Sequence, residues 1–235
     1  VLPLLVPDAP VVVWWPGKAP VNPAEDPVGQ LAQRRITDCG EAARPLKELD
    51  ARRRHHLAGD TDLAWTRTTP WRALIAATLD QPTDPVIGVT VSFQRNNASG
   101  MLLAAWLQRC LGVPAAVRSS RGPGITGVAL HTARGDVSVL RPDGRLATVA
   151  RPGLPDREAS LPRRTLDGLI AEELRRLDPD EVYGETLEEL PRLAGFEAEE
   201  AVAPGTFRLS DDAGSSPTER RPRTTTRSRQ SRQGR

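Results

Sequence analysis

The sequence contains few of the residues that commonly form cross-links, bind metals or catalyse reactions. Its 235 residues include only 2 cysteines and 3 histidines. Cys39 and Cys110 lie far apart and in no metal-ligand spacing, which favours free thiols in a reducing cytoplasm, with a redox pair as the alternative. The histidines form no HExxH pattern, and the chain has no Gly-x-Ser-x-Gly motif. The sequence therefore predicts no metal site and supports no catalytic role.

Long hydrophobic runs are also missing. The most apolar stretch, VLPLLVPDAPVVVWW at residues 1–15, is interrupted by three prolines and by Asp8, whereas a membrane helix needs about 20 apolar residues. No basic segment or cleavage site typical of a signal peptide accompanies it. We therefore expect a soluble, cytoplasmic protein without membrane contact. Since the chain starts at Val1, we also expect that the beginning of its first domain is missing.

Positive charge is concentrated at the C-terminus. The net charge is +2, but residues 219–235, ERRPRTTTRSRQSRQGR, carry seven arginines and one glutamate, so the remainder of the chain is mildly acidic. Because this segment has no large apolar residue, it cannot bury enough surface to offset the entropy of ordering. We predict a disordered, solvated tail over residues 193–235. A nucleic-acid-binding arm held by contacts to phosphate is the alternative.

The first half of the chain is predicted to contain a domain boundary. Residues 28–57 have spaced apolar positions and a break at Pro45, a pattern that favours two short helices. The glycine and aspartates of LAGDTD, residues 57–62, are typical of a linker. We therefore predict a first domain over residues 1–58 and a second over residues 60–192.

A β-α-β unit is predicted in the second domain. The β-branched run VIGVTVSF at residues 86–93 is typical of a buried strand, MLLAAWLQRCL at 101–111 of a buried helix, and LGVPAAVRS of a returning strand. Such a crossover makes the two strands parallel. The turn before the helix places Asn97, Ser99 and Gly100 at a helix N-terminus, where they form a candidate anion-binding site. Capping of the helix by Asn97 or Ser99 is the alternative.

The segment that follows alternates apolar and polar residues, as expected of an antiparallel meander. Its runs, between residues 125 and 161, are separated by turn sequences, of which PDG at 142–144 is the clearest. A helix capped by Thr165 then follows, with Leu166 and Leu174 among the apolar residues along one side. The predicted fold class is α/β with two small domains, the second containing a mixed sheet with a β-α-β unit and an antiparallel meander, packed by helices.

Four of the five tryptophans lie in two short stretches, VVVWWPG at residues 11–17 and DLAWTRTTPWR at residues 62–72. Trp71 lies on the apolar stripe of a predicted helix that begins at Thr69-Pro70, so we expect it in the core. Tryptophan beside arginine is also typical of interface anchors, and Trp65 fits an exposed one best. Two layers of core with arginines at the rim are the alternative. The predicted partner-binding residues are Trp14, Trp15, Trp65, Arg67, Trp71 and Arg72.

Five separated blocks of the sequence carry a resemblance to a known family. They are LPLLVPDAPVVVWWPG, DPVGQLAQRRITD, GDTDLAWTRTTPWRALIAATLDQP, GPGITGV and LPRRTLDGLIAEELRRLDPDEVYGETL. In this order they resemble the OpcA family of glucose-6-phosphate dehydrogenase assembly proteins, over residues 1 to about 190. The resemblance implies an N-terminal assembly domain, whose start is missing here, and a C-terminal domain.

The resemblance also implies a non-catalytic protein. Such a protein binds glucose-6-phosphate dehydrogenase of the oxidative pentose phosphate pathway and activates it by favouring its active oligomer. NADP then belongs to the partner enzyme, and this chain needs no cofactor. Two alternatives come from the residues alone: a sugar-phosphate sensor that uses the turn at residues 95–100, and a nucleic-acid-binding protein that uses the arginine-rich tail.

Overall fold

A small parallel sheet forms the first part of the fold. In the computed structural model, residues 9–81 and 84–196 are described. The sheet contains three strands that pair in chain order and all run parallel, β1 (Val12–Trp14), β2 (Arg34–Thr37) and β3 (Asp60–Asp62). Helix α1 (Pro45–Arg54) connects β2 to β3. The carboxyl ends of the three strands therefore lie along one edge of the sheet.

The prediction of two helices over residues 28–57 is half wrong. The second helix is α1, which begins at Pro45 as expected. In place of the first, the chain forms a short 3-10 helix, Gly29–Leu31, and then strand β2. Arg34 and Arg35 in β2 are both buried. Their charge conceals the strand from a pattern that searches for apolar residues.

The predicted linker at residues 57–62 contains strand β3. Gly59 has a φ of 92°, a conformation that favours glycine, and β3 begins at the next residue. Strand β3 pairs with β2, so this sheet includes residues from both sides of the predicted boundary. The division into domains 1–58 and 60–192 stays a prediction.

A six-stranded mixed sheet forms the rest of the fold, with the strand order β5-β4-β6-β7-β8-β9. Its strands are β4 (Val86–Gln94), β5 (Ala115–Ser120), β6 (Ile125–Thr132), β7 (Gly135–Leu140), β8 (Leu146–Arg151) and β9 (Leu154–Ser160). Strands β4 and β5 are parallel and are joined through α4 (Ala98–Leu111), which confirms the β-α-β unit. The pairs from β6 to β9 are antiparallel, which confirms the meander.

One face of the large sheet contributes to the main core. Val128 and Val139 lie opposite each other on β6 and β7 and are 1% and 2% exposed. Helix α4 packs on this sheet with nine buried residues, because its sequence is apolar on most sides. The turn predicted at residues 142–144 is present, and Gly144 has the positive φ that such a turn needs.

Two further helices lie between β3 and β4 in the sequence, and two more follow β9. They are α2 (Leu63–Thr66), α3 (Thr69–Leu79), α5 (Leu166–Glu173) and α6 (Glu181–Glu189). The apolar stripe predicted for α5 is only partly correct, because Leu166 and Leu174 are 48% and 50% exposed and the helix ends at Glu173. Among the described residues, no helix is long and apolar enough to cross a membrane.

The start of the predicted tail packs on the body of the protein. Leu193 is 3% exposed and belongs to the main core, and Phe196 packs against that core. Residues 193–196 are therefore part of the folded structure rather than of a solvated tail. The remainder of the predicted tail, residues 197–235, lies outside the described residues, as does the start of the first resemblance block.

Candidate functional site

The stretch DLAWTRTTPWR, here called the tryptophan segment (residues 62–72), extends from the end of β3 through α2 into α3. It begins with Asp62, which is completely buried. One carboxylate oxygen accepts a hydrogen bond from Ala64 N at 2.9 Å and so caps α2. The other accepts from Thr37 Oγ1 at 2.5 Å and from Cys39 N at 3.0 Å. Asp62 therefore fixes the start of the segment to the end of β2 and to the chain that follows it.

Trp65 is buried, and the expectation of an exposed anchor at this position is wrong. Its side chain is 1% exposed, and its indole Nε1 donates to Asp180 Oδ2 at 2.7 Å. The ring packs beside Tyr183, with centroids 5.8 Å apart. The guanidinium of Arg72 lies 3.8 Å above the Trp65 ring, in a cation–π contact. In this structure Trp65 can brace a surface but does not present one.

Arg67 and Arg72 lie partly exposed at the edge of this core. Arg67 donates from Nη1 and Nη2 to the two carboxylate oxygens of Asp38, at 2.6 and 2.7 Å, which is a bidentate pair. Arg72 donates to Thr69 Oγ1 at 3.1 Å. Burial lowers the pKa of Arg72 from its ordinary value. Both arginines are held in place, as the alternative of a core with arginines at its rim predicts.

Trp71 lies in the core, as the apolar stripe of α3 predicts, and is 1% exposed. Arg141 of the loop after β7 packs with its guanidinium carbon 4.8 Å from the Trp71 ring. Arg141 is itself buried and donates to the carbonyl oxygens of Leu161 and Ile125. Burial lowers its pKa to about 10. Trp71 thus connects α3 to the antiparallel meander.

Trp14 and Trp15 are both half-buried, at the end of β1. Trp14 packs against a small cluster that includes Ile36, Leu63 and Leu169. Trp15 packs beside Gly29, where a Cβ atom would lie 3.3 Å from the indole ring. These two tryptophans, with Arg67 and Arg72, are the members of the predicted partner-binding set that keep exposed surface. Partner binding by the set stays a prediction.

The candidate anion site at the start of α4 has the geometry of a helix cap. Asn97 Oδ1 accepts a hydrogen bond from Gly100 N at 2.7 Å, and Ser99 is 5% exposed. A Cβ atom at Gly100 would lie 2.3 Å from the ring of Phe93, so glycine is needed here for packing. The alternative of capping therefore accounts for Asn97, and anion binding at this turn stays a prediction.

Cys39 and Cys110 are both free thiols, in different environments. Cys39 is buried, and its Sγ donates to Asp62 Oδ1 at 3.1 Å. Burial and the Asp62 carboxylate raise the pKa of Cys39 well above its ordinary value, which disfavours the reactive thiolate. Cys110 is exposed on α4, and partial burial of its thiol raises its pKa as well. The redox pair stays a prediction without geometric support.

The part of the chain that the structure describes contains no group of three or more His, Cys, Asp or Glu side chains able to hold a metal ion. It does contain a cavity of about 590 Å³ that the sequence did not predict. The cavity lies beside the residues that follow β1 and β2 and beside Asp62 at the end of β3, and we call it the sheet-edge cavity. Since β2 and β3 were not predicted, their common edge could not be predicted either. Lys18 and Lys47 both line the sheet-edge cavity.

His56, next to the tryptophan segment, gives a testable pH dependence. Its ring packs edge-on to Tyr183 with centroids 5.5 Å apart, and burial lowers its pKa from the ordinary 6.5. The folded protein then binds fewer protons than the unfolded chain just below pH 6.5, so stability from this group is lost as pH falls. We expect the melting temperature of His56→Gln to fall less between about pH 7.5 and 5.5 than that of the wild type. An equal fall in the melting temperatures of the two proteins would contradict this prediction. His55→Gln is the control, because it removes the neighbouring histidine.

Comparison with protein families divides the chain into two matched parts. Residues 1–54 match the model described as the glucose-6-phosphate dehydrogenase subunit N-terminal domain. Residues 58–187 match the model described as the C-terminal domain of the same subunit. The chain belongs to the OpcA family. No match to a curated protein sequence was found.

Two solved structures show a remote likeness to this chain. A 3-ketoreductase from Actinomadura kijaniata, in complex with NADP, has 12% sequence identity and a TM-score of 0.48, with 76% of this chain and 75% of that chain covered. A dehydrogenase from Chromobacterium violaceum has 15% identity and a TM-score of 0.44, with 82% and 77% covered. These values carry no argument about function or cofactor.

The two OpcA-family matches meet inside the three-stranded sheet. Strands β1 and β2 belong to the N-terminal-domain match, and β3 belongs to the C-terminal-domain match. The tryptophan segment lies in the second match, but its Asp62 and Arg67 bind Thr37 and Asp38 of the first. In this OpcA-family chain, the tryptophan segment therefore holds the two matched parts together.

Proposed function

We propose that this protein is a non-catalytic assembly factor that binds glucose-6-phosphate dehydrogenase in the cytoplasm and favours its active oligomer. The observation that carries the proposal is the match, in order, of both domain models of a glucose-6-phosphate dehydrogenase subunit. A protein that binds one state of an oligomer more tightly shifts the population toward that state, without any chemistry of its own. NADP and the catalytic residues then belong to the dehydrogenase.

The ordered arginines of the tryptophan segment support this proposal. Arg67 is fixed by its two hydrogen bonds to Asp38, and Arg72 is fixed against the ring of the buried Trp65. Side chains that are already ordered lose less conformational entropy when a partner binds. Tryptophan and arginine are also enriched among the residues that dominate interface energies. Trp15, a half-buried member of the predicted partner-binding set at the end of β1, tests whether the proposed contact extends to that strand.

The proposal is tested by titrating this protein into the cognate dehydrogenase, diluted until its specific activity falls. We expect the initial rate to rise and to saturate at a fixed molar ratio, because an assembly factor acts stoichiometrically. Trp15→Ala is expected to raise the half-saturating concentration about tenfold or more, as loss of an interface anchor does.

Phe196→Ala is the matched control for this titration. Phe196 is also a partly buried aromatic side chain, and it lies outside the predicted partner-binding set. We expect a half-saturating concentration close to that of the wild type, with melting temperatures measured for both variants. Absence of any rise in rate would contradict the proposed function. Equal losses of affinity in the two variants would contradict the contact at Trp15 but not the proposed function.

A further inference from the structure

The sheet-edge cavity lies where parallel α/β sheets commonly bind ligands. It is lined by residues that directly follow β1 and β2 and by Asp62 at the end of β3. Crevices outside the carboxyl ends of parallel strands are the usual ligand sites of open α/β sheets. The volume of about 590 Å³ is within the range of small-molecule sites, roughly 300–1,000 Å³. Of the site residues predicted from the sequence, Cys39 alone lines this cavity, and neither it nor the OpcA-family match assigns a ligand to the cavity.

Basic side chains gather at this cavity. Lys18 and Lys47 are the only lysines in the chain, and both line it. Both are exposed, so a ligand in the cavity can reach them. Arg52, also in the lining, is 6% exposed and donates from Nη2 to the carbonyl oxygens of Pro20 and Val21.

Arg52 has unused hydrogen-bonding capacity. Its Nε and Nη1 atoms are buried and have no hydrogen-bond partner among the described residues. Its nearest carboxylate in an ion pair is Glu48, at 3.8 Å, which is too far for a hydrogen bond. A buried guanidinium with unpaired N–H groups is costly to a fold unless an anion offsets it. A ligand anion in the adjacent cavity would supply that countercharge.

Four acidic residues also line the cavity, and two of them are paired with a cation outside it. Asp38 and Glu41 are both paired with Arg67, which lies outside the lining. Asp62 is surrounded by the donors of Thr37, Cys39 and Ala64, and burial raises its pKa. The first turn of α1 also lines the cavity. A helix N-terminus carries partial positive charge and favours phosphate groups.

We propose that the sheet-edge cavity binds a small metabolite that carries a phosphate on a polyhydroxylated body. The phosphate lies between Arg52, Lys18, Lys47 and the first turn of α1. A free phosphate ion would leave most of the cavity empty, so the volume favours a larger ligand. The carboxylates of Glu41 and Glu48 at the rim accept hydrogen bonds from its hydroxyl groups. This site rests on the residues of this chain and does not depend on the proposed function.

Isothermal titration calorimetry of the full chain tests the proposal with glucose 6-phosphate and adenosine monophosphate as probes. We expect saturable binding of at least one of them at one molecule per chain. Stronger binding of the first identifies a sugar phosphate, and stronger binding of the second identifies a nucleotide. Glucose and adenosine, which lack the phosphate, are expected not to bind. Absence of binding by both phosphorylated probes, or equal binding without the phosphate, would overturn the proposal.

Variants that each remove one charged side chain test whether the ligand binds in this cavity. Lys18→Ala and Lys47→Ala change exposed side chains, so both proteins are expected to fold, and each is expected to weaken binding of the phosphorylated probe about fivefold or more. Arg54→Ala is the matched control, because Arg54 lies on α1, is 58% exposed and is not part of the lining. Its affinity should remain within about twofold of the wild type. An affinity that all three variants leave unchanged would also overturn the proposal.

Discussion

Replacing Trp65 with alanine is expected to lower the free energy of unfolding by about 3–5 kcal/mol, the usual cost of truncating a buried aromatic side chain. The side chain is 1% exposed, so its removal leaves a cavity in the core, which the surrounding side chains fill only in part. The substitution also removes the N–H donor to Asp180, whose other oxygen caps α6 by accepting from Tyr183 N. Urea denaturation followed by circular dichroism measures the change.

Trp65→Phe is the matched variant for this prediction. It keeps an aromatic ring in the core but loses the indole N–H, and it is expected to cost about 1–2 kcal/mol. The difference between the two variants then measures packing apart from the hydrogen bond. A loss of less than about 1.5 kcal/mol in Trp65→Ala would mean that the site collapses around the deletion. That result would contradict the bracing role of Trp65.

The second half of the fold was predictable because its signals are local. The run at residues 86–93 is β-branched, α4 is apolar on most sides, and the turn at 142–144 contains proline and glycine. Each signal depends on neighbours within a few positions, and each agrees with the tertiary packing. The six-stranded sheet was therefore predicted in both its parallel and its antiparallel part.

The three-stranded sheet was harder to predict because its strands bury charge. Arg35 of β2 pairs with Asp60 of β3 at 2.5 Å, and both side chains are nearly inaccessible to solvent. A strand such as Asp60–Asp62, with two charged residues of three, resembles a loop when it is judged by hydropathy. Its burial is stabilised by partners about 25 residues away in the chain, which one sequence does not reveal.

The segment that forms the candidate site was predictable from the sequence, but the solvent exposure of its side chains was not. The two tryptophans and two arginines of residues 62–72 mark the segment by composition alone. Whether Trp65 is exposed depends on Asp180 and Tyr183, which lie more than 100 residues later. The sheet-edge cavity depends in the same way on pairing between distant strands. Composition therefore identified the segment that holds the two matched parts together, and the structure decided which side chains it presents.

Replacing Glu173 with alanine is expected to cost about 3–5 kcal/mol, because it leaves a buried charge without its partner. Glu173 at the end of α5 accepts from Arg34 Nη2 at 2.5 Å, and the two side chains are only 6% and 5% exposed. Its second oxygen accepts from Thr66 Oγ1 of the tryptophan segment at 2.6 Å. This one carboxylate thus joins β2, α2 and α5. Urea denaturation measures the loss of stability.

The neighbouring Glu172 provides the control for this prediction. Glu172 pairs with Arg164 and accepts a hydrogen bond from Thr69 Oγ1 at 2.8 Å, but its side chain is about a quarter exposed, so Glu172→Ala is expected to cost less, about 1–2 kcal/mol. A double variant, Arg34→Met with Glu173→Leu, removes both charges and is expected to be at least about 1 kcal/mol more stable than Glu173→Ala alone. Equal costs at Glu172 and Glu173 would contradict a buried pair. A double variant less stable than Glu173→Ala would show instead that other contacts of Arg34, such as its hydrogen bond from Nη1 to Asp178 O at 2.9 Å, outweigh the cost of its orphaned charge.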